Sequence, residues 1–132
     1  MKQLILAACL LGLAGCGDGT AEVRGKVTFN GKPVENGTIV FEPEDRNGPT
    51  HGVPITNGAY QMAGPNRVPA GAKLVRIQAF GPSGRKVSAA PGSATTVDEF
   101  KPYIPAKYDS ASTLKVTVEA GKENTHNFDL TP

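Results

Sequence analysis

The sequence predicts an all-β fold, a seven-stranded antiparallel β-sandwich. Three observations lead there. Apolar residues recur at every second position in seven short segments, the period of half-buried strands. The 16 Gly and 11 Pro fall largely between those segments, where turns are needed. No stretch carries a convincing 3.6-residue apolar period, so the crossover helices that a parallel sheet usually needs are missing.

The strands follow in order. Ala21, Val23, Gly25, Val27 and Phe29 share one face of the first, and Glu22, Arg24, Lys26 and Thr28 the other. Asn30-Gly31 ends it with residues suited to positive φ. Lys32 to Gly37 connects to a second strand, Thr38 to Glu42, in which Ile39 and Phe41 face one way. Pro43 to Pro49 is polar and reads as loop. Gly52 to Thr56 and Ala59 to Ala63 form a hairpin about Asn57-Gly58, a strong short-range turn signal. Pro69-Ala70-Gly71 turns into Lys73 to Phe80, where Val75, Ile77 and Ala79 alternate with Leu74, Arg76 and Gln78. Apolar residues on both phases at Leu74 and Val75 suggest a central strand.

Gly81 to Pro102 is rich in Gly, Pro, Ser and Ala and reads as one long irregular loop. Loops of such length are usually functional or disordered. This one is expected to be mobile, pinned at its far end by Phe100, Tyr103 and Ile104. Two strands close the chain. Leu114, Val116 and Val118 alternate with polar residues, Gly121 to Asn124 turns, and His126, Phe128 and Leu130 share the last apolar phase. The expected core is Val27, Phe29, Ile39, Phe41, Ile77, Val116, Val118 and Phe128.

The first fifteen residues have a different character. Lys2 is their one charged residue, Leu4 to Leu13 is almost wholly apolar, and Leu13-Ala14-Gly15-Cys16 closes the run. Positive, apolar and small-residue parts in that order make a secretory signal. The run is about half of the ~20 residues that span a bilayer, so it does not read as a transmembrane helix. Leu13-Ala14-Gly15-Cys16 resembles the lipobox of bacterial lipoproteins. The resemblance implies cleavage between Gly15 and Cys16, a diacylglyceride on the Cys16 thiol and a further acyl chain, such as palmitate, on its new amino group. Residues 1–15 are then signal peptide, 16–20 a lipidated tether, and 21–132 the β-sandwich domain. Asp18 does not directly follow Cys16, which by analogy with lipoprotein sorting favours the outer membrane over the inner in a two-membrane cell envelope.

The remaining chain keeps 13 of the 14 basic side chains and all 12 acidic ones. They are scattered, which gives no reason to expect nucleic acid. The two cysteines of the chain are Cys9 and Cys16. The first lies in the signal and the second at the lipid site, so no disulfide, zinc thiolate or cysteine nucleophile is expected in the domain.

Val23-Arg24-Gly25-Lys26-Val27, Asn30-Gly31-Lys32-Pro33-Val34 and Gly37-Thr38-Ile39-Val40-Phe41 together resemble the opening of carboxypeptidase-regulatory-like domains. Thr56-Asn57-Gly58-Ala59-Tyr60 resembles their central glycine-tyrosine hairpin, and Pro69-Ala70-Gly71 with Val75-Arg76-Ile77 the following strand. Ile104-Pro105-Ala106-Lys107-Tyr108, then Ser112 to Val118, Gly121 and Asn124, is similar to the tail of many small bacterial lipoproteins of this class. The resemblance implies a transthyretin-like, immunoglobulin-like sandwich and no reaction. Tyr60 reads as a core tyrosine whose hydroxyl meets a backbone partner.

Few residues offer chemistry. His126 shares its phase with Phe128 and reads as a histidine at the core margin. His51, near Glu42, Glu44 and Asp45, has the residue types for a divalent ion but reads as a solvated loop. Intradiol dioxygenases, on a related sandwich, hold iron with two Tyr and two His. Tyr103, Tyr108, His51 and His126 match that count, but the closely spaced histidine pair after the second tyrosine is missing. The Tyr-Arg-Gly-Ser tail of transthyretin-like hydrolases is replaced by Asp129-Leu130-Thr131-Pro132. Gly81-Pro82-Ser83-Gly84 is neither a nucleophile elbow nor a phosphate loop. Sugar-binding sandwiches commonly present exposed aromatics, for which Tyr103 and Tyr108 are the candidates here.

The expectation is therefore a membrane-anchored envelope protein, not an enzyme, with no metal or other cofactor. It would serve as a structural or protein-interaction module, with other envelope proteins or glycans as partners. A small-ligand or carbohydrate-binding domain is the second reading, and a dioxygenase-like metalloenzyme a distant third.

Overall fold

The structure is a computed structural model and describes residues 19–132. Two sheets of five strands and one short ribbon account for its strands. No α-helix occurs among the described residues; Gly64–Asn66 and Ala106–Tyr108 are single 3-10 turns.

The ribbon comes first. β1 (Thr20–Ala21) pairs with β7 (Val68–Pro69). The first sheet is built on β4 (Gly37–Pro43), β5 (His51–Ile55), β8 (Gly71–Ser88) and β10 (Leu114–Val118), in the order β10-β8-β4-β5, all antiparallel. β9 (Thr96–Pro102) adds to the far half of β8. Val53, Ile39 and Ile77 lie in one row across three strands, and Val75 faces Phe41. Directly opposed residues point to the same face, so each row is one layer of the core. Lys73 shares the inward phase, opposite Val116, and is buried. Its amine is held below the usual lysine value by burial, which nearby Asp45 partly opposes.

The second sheet is organised by β2 (Val23–Phe29). β6 (Ala59–Met62) and β3 (Lys32–Pro33) pair antiparallel along one edge, and β11 (Asn124–Thr125) and β12 (Phe128–Leu130) pair along the other. The two sheets share one apolar cluster. Val23, Val27, Met62 and Leu130 come from the second sheet, and Ile39, Phe41, Val75, Ile77 and Val118 from the first. Phe41 and Tyr60 join the layers with ring centroids 6.1 Å apart, and Tyr60 meets Phe128 at 6.4 Å. The architecture is all-β and consistent with a β-sandwich. Of the expected core, Phe29 and Val116 are partly buried against the cluster and the rest are buried.

The structure departs from the expected arrangement in three ways. The described residues form twelve strands rather than seven. The second sheet is not wholly antiparallel, because β11 and β12 run parallel to β2. No crossover helix is needed, since all of the chain between β2 and β11 makes the crossover. Nor do the last two strands pair with each other. β10 joins β8 while β12 joins β2, and buried Asn124 holds the turn between them. Its Oδ1 accepts from the Glu119 N–H, and its Nδ2 donates to the carbonyls of Glu119 and Lys122. Third, Gly81 to Pro102 is no irregular loop but a β-hairpin, described below.

Gly25 explains the gap between β11 and β12. The chain at His126 crosses closely over it, and a Cβ on Gly25 would collide with the His126 carbonyl. That same carbonyl accepts the Tyr60 hydroxyl at 2.6 Å. Overpacking at a rigid contact typically costs ~1–3 kcal/mol, occasionally more, so Gly25→Ala is expected to destabilise at the upper end of that range. Phe41→Ala and Phe128→Ala should each lose ~3–5 kcal/mol. Urea unfolding followed by circular dichroism measures both. Near-neutral values at the two phenylalanines would contradict the shared core.

Candidate functional site

The far half of β8 and all of β9 form a two-stranded arm. Phe80 opposes Pro102, Gly81 Lys101, Pro82 Phe100, and beyond a bulge Lys86 opposes Asp98 and Val87 Val97. Ala89 donates to the Thr95 carbonyl at 2.8 Å at the tip, where Gly92 takes φ +76. The bulge sets Ser83, Gly84 and Arg85 against Glu99 alone. Gly84 supplies positive φ there, and the Ser83 hydroxyl donates to Glu99 at 2.7 Å while accepting the Arg85 N–H at 3.2 Å.

Prolines fit this arm because of its edges. The Phe80 N–H points to Asn36, toward β4, and the Tyr103 N–H points to the Ala79 carbonyl. Backbone groups alternate sides along a strand. Pro82 therefore directs its missing donor to the open edge of β8, and Pro102 to the open edge of β9, where no ladder bond is lost.

The arm carries exposed apolar side chains on both faces, Phe80 and Phe100 on one and Val87 and Val97 on the other. Phe80, Val87, Val97, Phe100 and Tyr103 are the exposed large hydrophobics of the described residues, and all five lie on the arm or at its base. A cleft of about 720 Å³ opens at that base, lined by Phe29, Pro33, Phe80, Pro82 and Tyr103 with Lys32, Glu35 and Lys101 at its polar margin. Tyr103 meets Phe29 edge to face at 5.6 Å and lies over Gly81, where an added Cβ would come within 3.1 Å of its ring. Burial raises the Tyr103 phenol above its ordinary value, a hydrogen bond from the Glu35 backbone opposes this, and the Glu35 charge adds to it.

The other candidates are scattered. His51 is the first residue of β5, opposite Phe41, rather than part of a loop. Glu42 is engaged by Arg76 at 3.0 Å, Glu44 by Lys115 at 2.7 Å, and Asp45 accepts the Asn47 N–H. His126 lies between β11 and β12, not in a strand with Phe128. Each histidine buries an Nε2 with no hydrogen-bond partner. Tyr108 ends a 3-10 turn and its hydroxyl meets Thr131, far in sequence from the neighbours of Tyr103. The two tyrosines and two histidines thus have four separate sets of neighbours. No group of three or more His, Cys, Asp or Glu suited to a metal occurs among the described residues. Gly15 and Cys16 lie outside those residues. Among them, no helix is long and apolar enough to cross a membrane.

No family model matches the sequence, and no curated protein matches it either. Among solved structures, the whole chain aligns with 18% of a 9R-lipoxygenase from Cyanothece PCC8801, at 12% identity and a TM-score of 0.35. A likeness that low carries no argument about fold or activity.

Two outcomes check the site. An isolated two-stranded hairpin is at best marginally stable, so the arm depends on its base. Tyr103→Ala should speed tryptic cleavage after Arg85 and Lys86 while β2, β4 and β6 stay intact on mass spectrometry. Alkaline titration followed by tyrosinate absorbance should show Tyr108 ionising first, since its Thr131 hydrogen bonds and then nearby Lys107 lower it. Tyr60 should ionise last, because burial raises it from 10.0. A phenol raised in the folded state stabilises the fold fully below its unfolded value. Stability should therefore fall as pH climbs past 10.0, and less steeply in Tyr60→Phe.

Proposed function

We propose that this chain is a lipid-anchored protein of the bacterial envelope whose domain is a non-enzymatic protein-interaction module, with the arm as its binding element. The observation that carries the reading is the gathering of all five exposed large hydrophobics on the arm and its base. Large apolar side chains left exposed and gathered on one element point to a binding surface, and the register sets Phe80 and Phe100 on one face of the arm and Val87 and Val97 on the other. Leu13-Ala14-Gly15-Cys16 supports the anchor, and the ordered glycine and tyrosine motifs support a transthyretin-like, carboxypeptidase-regulatory-like domain.

The placement of the arm suits an anchored protein. The described chain enters at Gly19, whose carbonyl accepts the Ala70 N–H at 2.8 Å, beside the start of β8 at Gly71. β8 then runs on for 18 residues to Ser88. At ~3.3 Å per residue this one strand spans on the order of 55 Å. Gly71 and Ser88 are the two ends of that strand, so the arm lies at the end away from Gly19.

A second reading, a small-ligand or carbohydrate-binding domain, draws on the cleft. Phe29, Phe80 and Tyr103 offer ring surfaces there beside Lys32, Glu35 and Lys101.

Each buried CH₂ contributes about 0.8 kcal/mol, so two or three acyl chains hold a protein stably on a membrane. Mass spectrometry of the mature N-terminal peptide should find Cys16 acylated, and Cys16→Ser should move the protein out of the membrane fraction. A photo-crosslinking residue at position 100 should give protein adducts in native envelope, whereas one at exposed Gln61 should not. An unmodified Cys16 would remove the anchor, and equal adducts at both positions would remove the arm from the reading.

A further inference from the structure

The arm leaves a ladder unfilled. The Tyr103 N–H and the Thr95 carbonyl both bond to the β8 side, so by alternation the odd-numbered residues of β9 face β8. Thr96, Asp98, Phe100 and Pro102 then direct their backbone groups outward. Among the described residues β9 pairs with β8 alone. An open edge of this kind is a template for another strand, and adding a strand is a recurring recognition mode.

The side chains select which strand. An antiparallel pair of identical strands has its two-fold axis through one residue, which faces itself. Centres at Asp98, Glu99 or Lys101 set like charges directly opposite, which is destabilising. A centre at Phe100 has the opposite result. It sets Phe100 against Phe100 and Glu99 against Lys101 of the second copy, twice by symmetry. Phe100 is the most exposed of the large hydrophobics, at 54%. Its outward N–H and carbonyl allow two reciprocal hydrogen bonds across the axis. The Asp98 N–H reaches the Pro102 carbonyl on each side, and Pro102, lacking a return donor, ends the ladder.

We propose that the outer edge of β9 pairs antiparallel with the same edge of a second copy, centred on Phe100, so that two arms make one four-stranded sheet. This names the partner of the arm. It rests on the arm being the interaction element and is independent of the lipid anchor. The two bodies then point in opposite directions, with their Gly19 ends on opposite sides of the joined arms.

Sedimentation equilibrium of the full chain in detergent tests the pairing. The wild type should dimerise. Glu99→Lys alone and Lys101→Glu alone should each raise the dimer dissociation constant by about ten-fold or more, because two attractive pairs become two repulsive ones. The double variant, Glu99→Lys with Lys101→Glu, restores both pairs and should dimerise more tightly than either single variant, short of the wild type by whatever the lost Ser83–Glu99 bond costs the arm. A wild type that stays monomeric at all concentrations would overturn the proposal, as would a double variant no tighter than the singles. A monomeric wild type whose position 100 still cross-links to other envelope proteins would overturn the dimer and leave the interaction reading standing.

Discussion

Everything that distinguishes this domain depends on one strand serving two structures. β8 holds its first half in the body, between β4 and β10, and carries its second half into the arm with β9. In the body, Val75, Ile77 and Ala79 are buried. Beyond Phe80 the same strand loses its β4 neighbour, and burial ends. A free ribbon of two strands is marginal. This one is continuous with a buried strand, is clamped at its base by Tyr103 against Phe29, and is fixed midway by Ser83 and Glu99. The body thus supplies the order that the arm itself lacks.

The second sheet depends on a close approach. Gly25 lets the chain at His126 pass directly over β2, and Tyr60 reaches the His126 carbonyl from β6 on the other edge. That bond links β6, on one edge of β2, to the chain between β11 and β12 on the other. Asn124 then ties the preceding turn, so that the chain can leave the first sheet at Val118 and join the second. The parallel pairing of β11 and β12 with β2 follows from this change of sheet.

Much of the body was legible in the sequence because burial on one face imposes a period of two. Ile39, Phe41, Ile77, Val118 and Phe128 are buried as that period requires. The carbonyl acceptor for Tyr60 was foreseen in kind, though not as His126. Strand partners were less legible, because alternation fixes a face and says nothing about a neighbour. The arm was missed for a physical reason. Pro82, Gly84 and Pro102 are turn signals when each strand is assumed to need both edges. On a two-stranded ribbon one edge stays open, so proline there costs no ladder bond, and Gly84 serves a bulge. With little to bury, the segment also lacked the apolar contrast by which strands are recognised. Only in the hairpin do Val87 and Val97 meet on one face and Phe80 and Phe100 gather on the other.

The account therefore turns on whether residues 81–102 form an ordered ribbon in solution. Nuclear magnetic resonance of the full chain measures this directly. The account predicts a cross-strand contact between Val87 and Val97, with the Gly81 and Lys101 amides protected from exchange. Random-coil shifts and fast exchange throughout 81–102, beside a protected body, would contradict it.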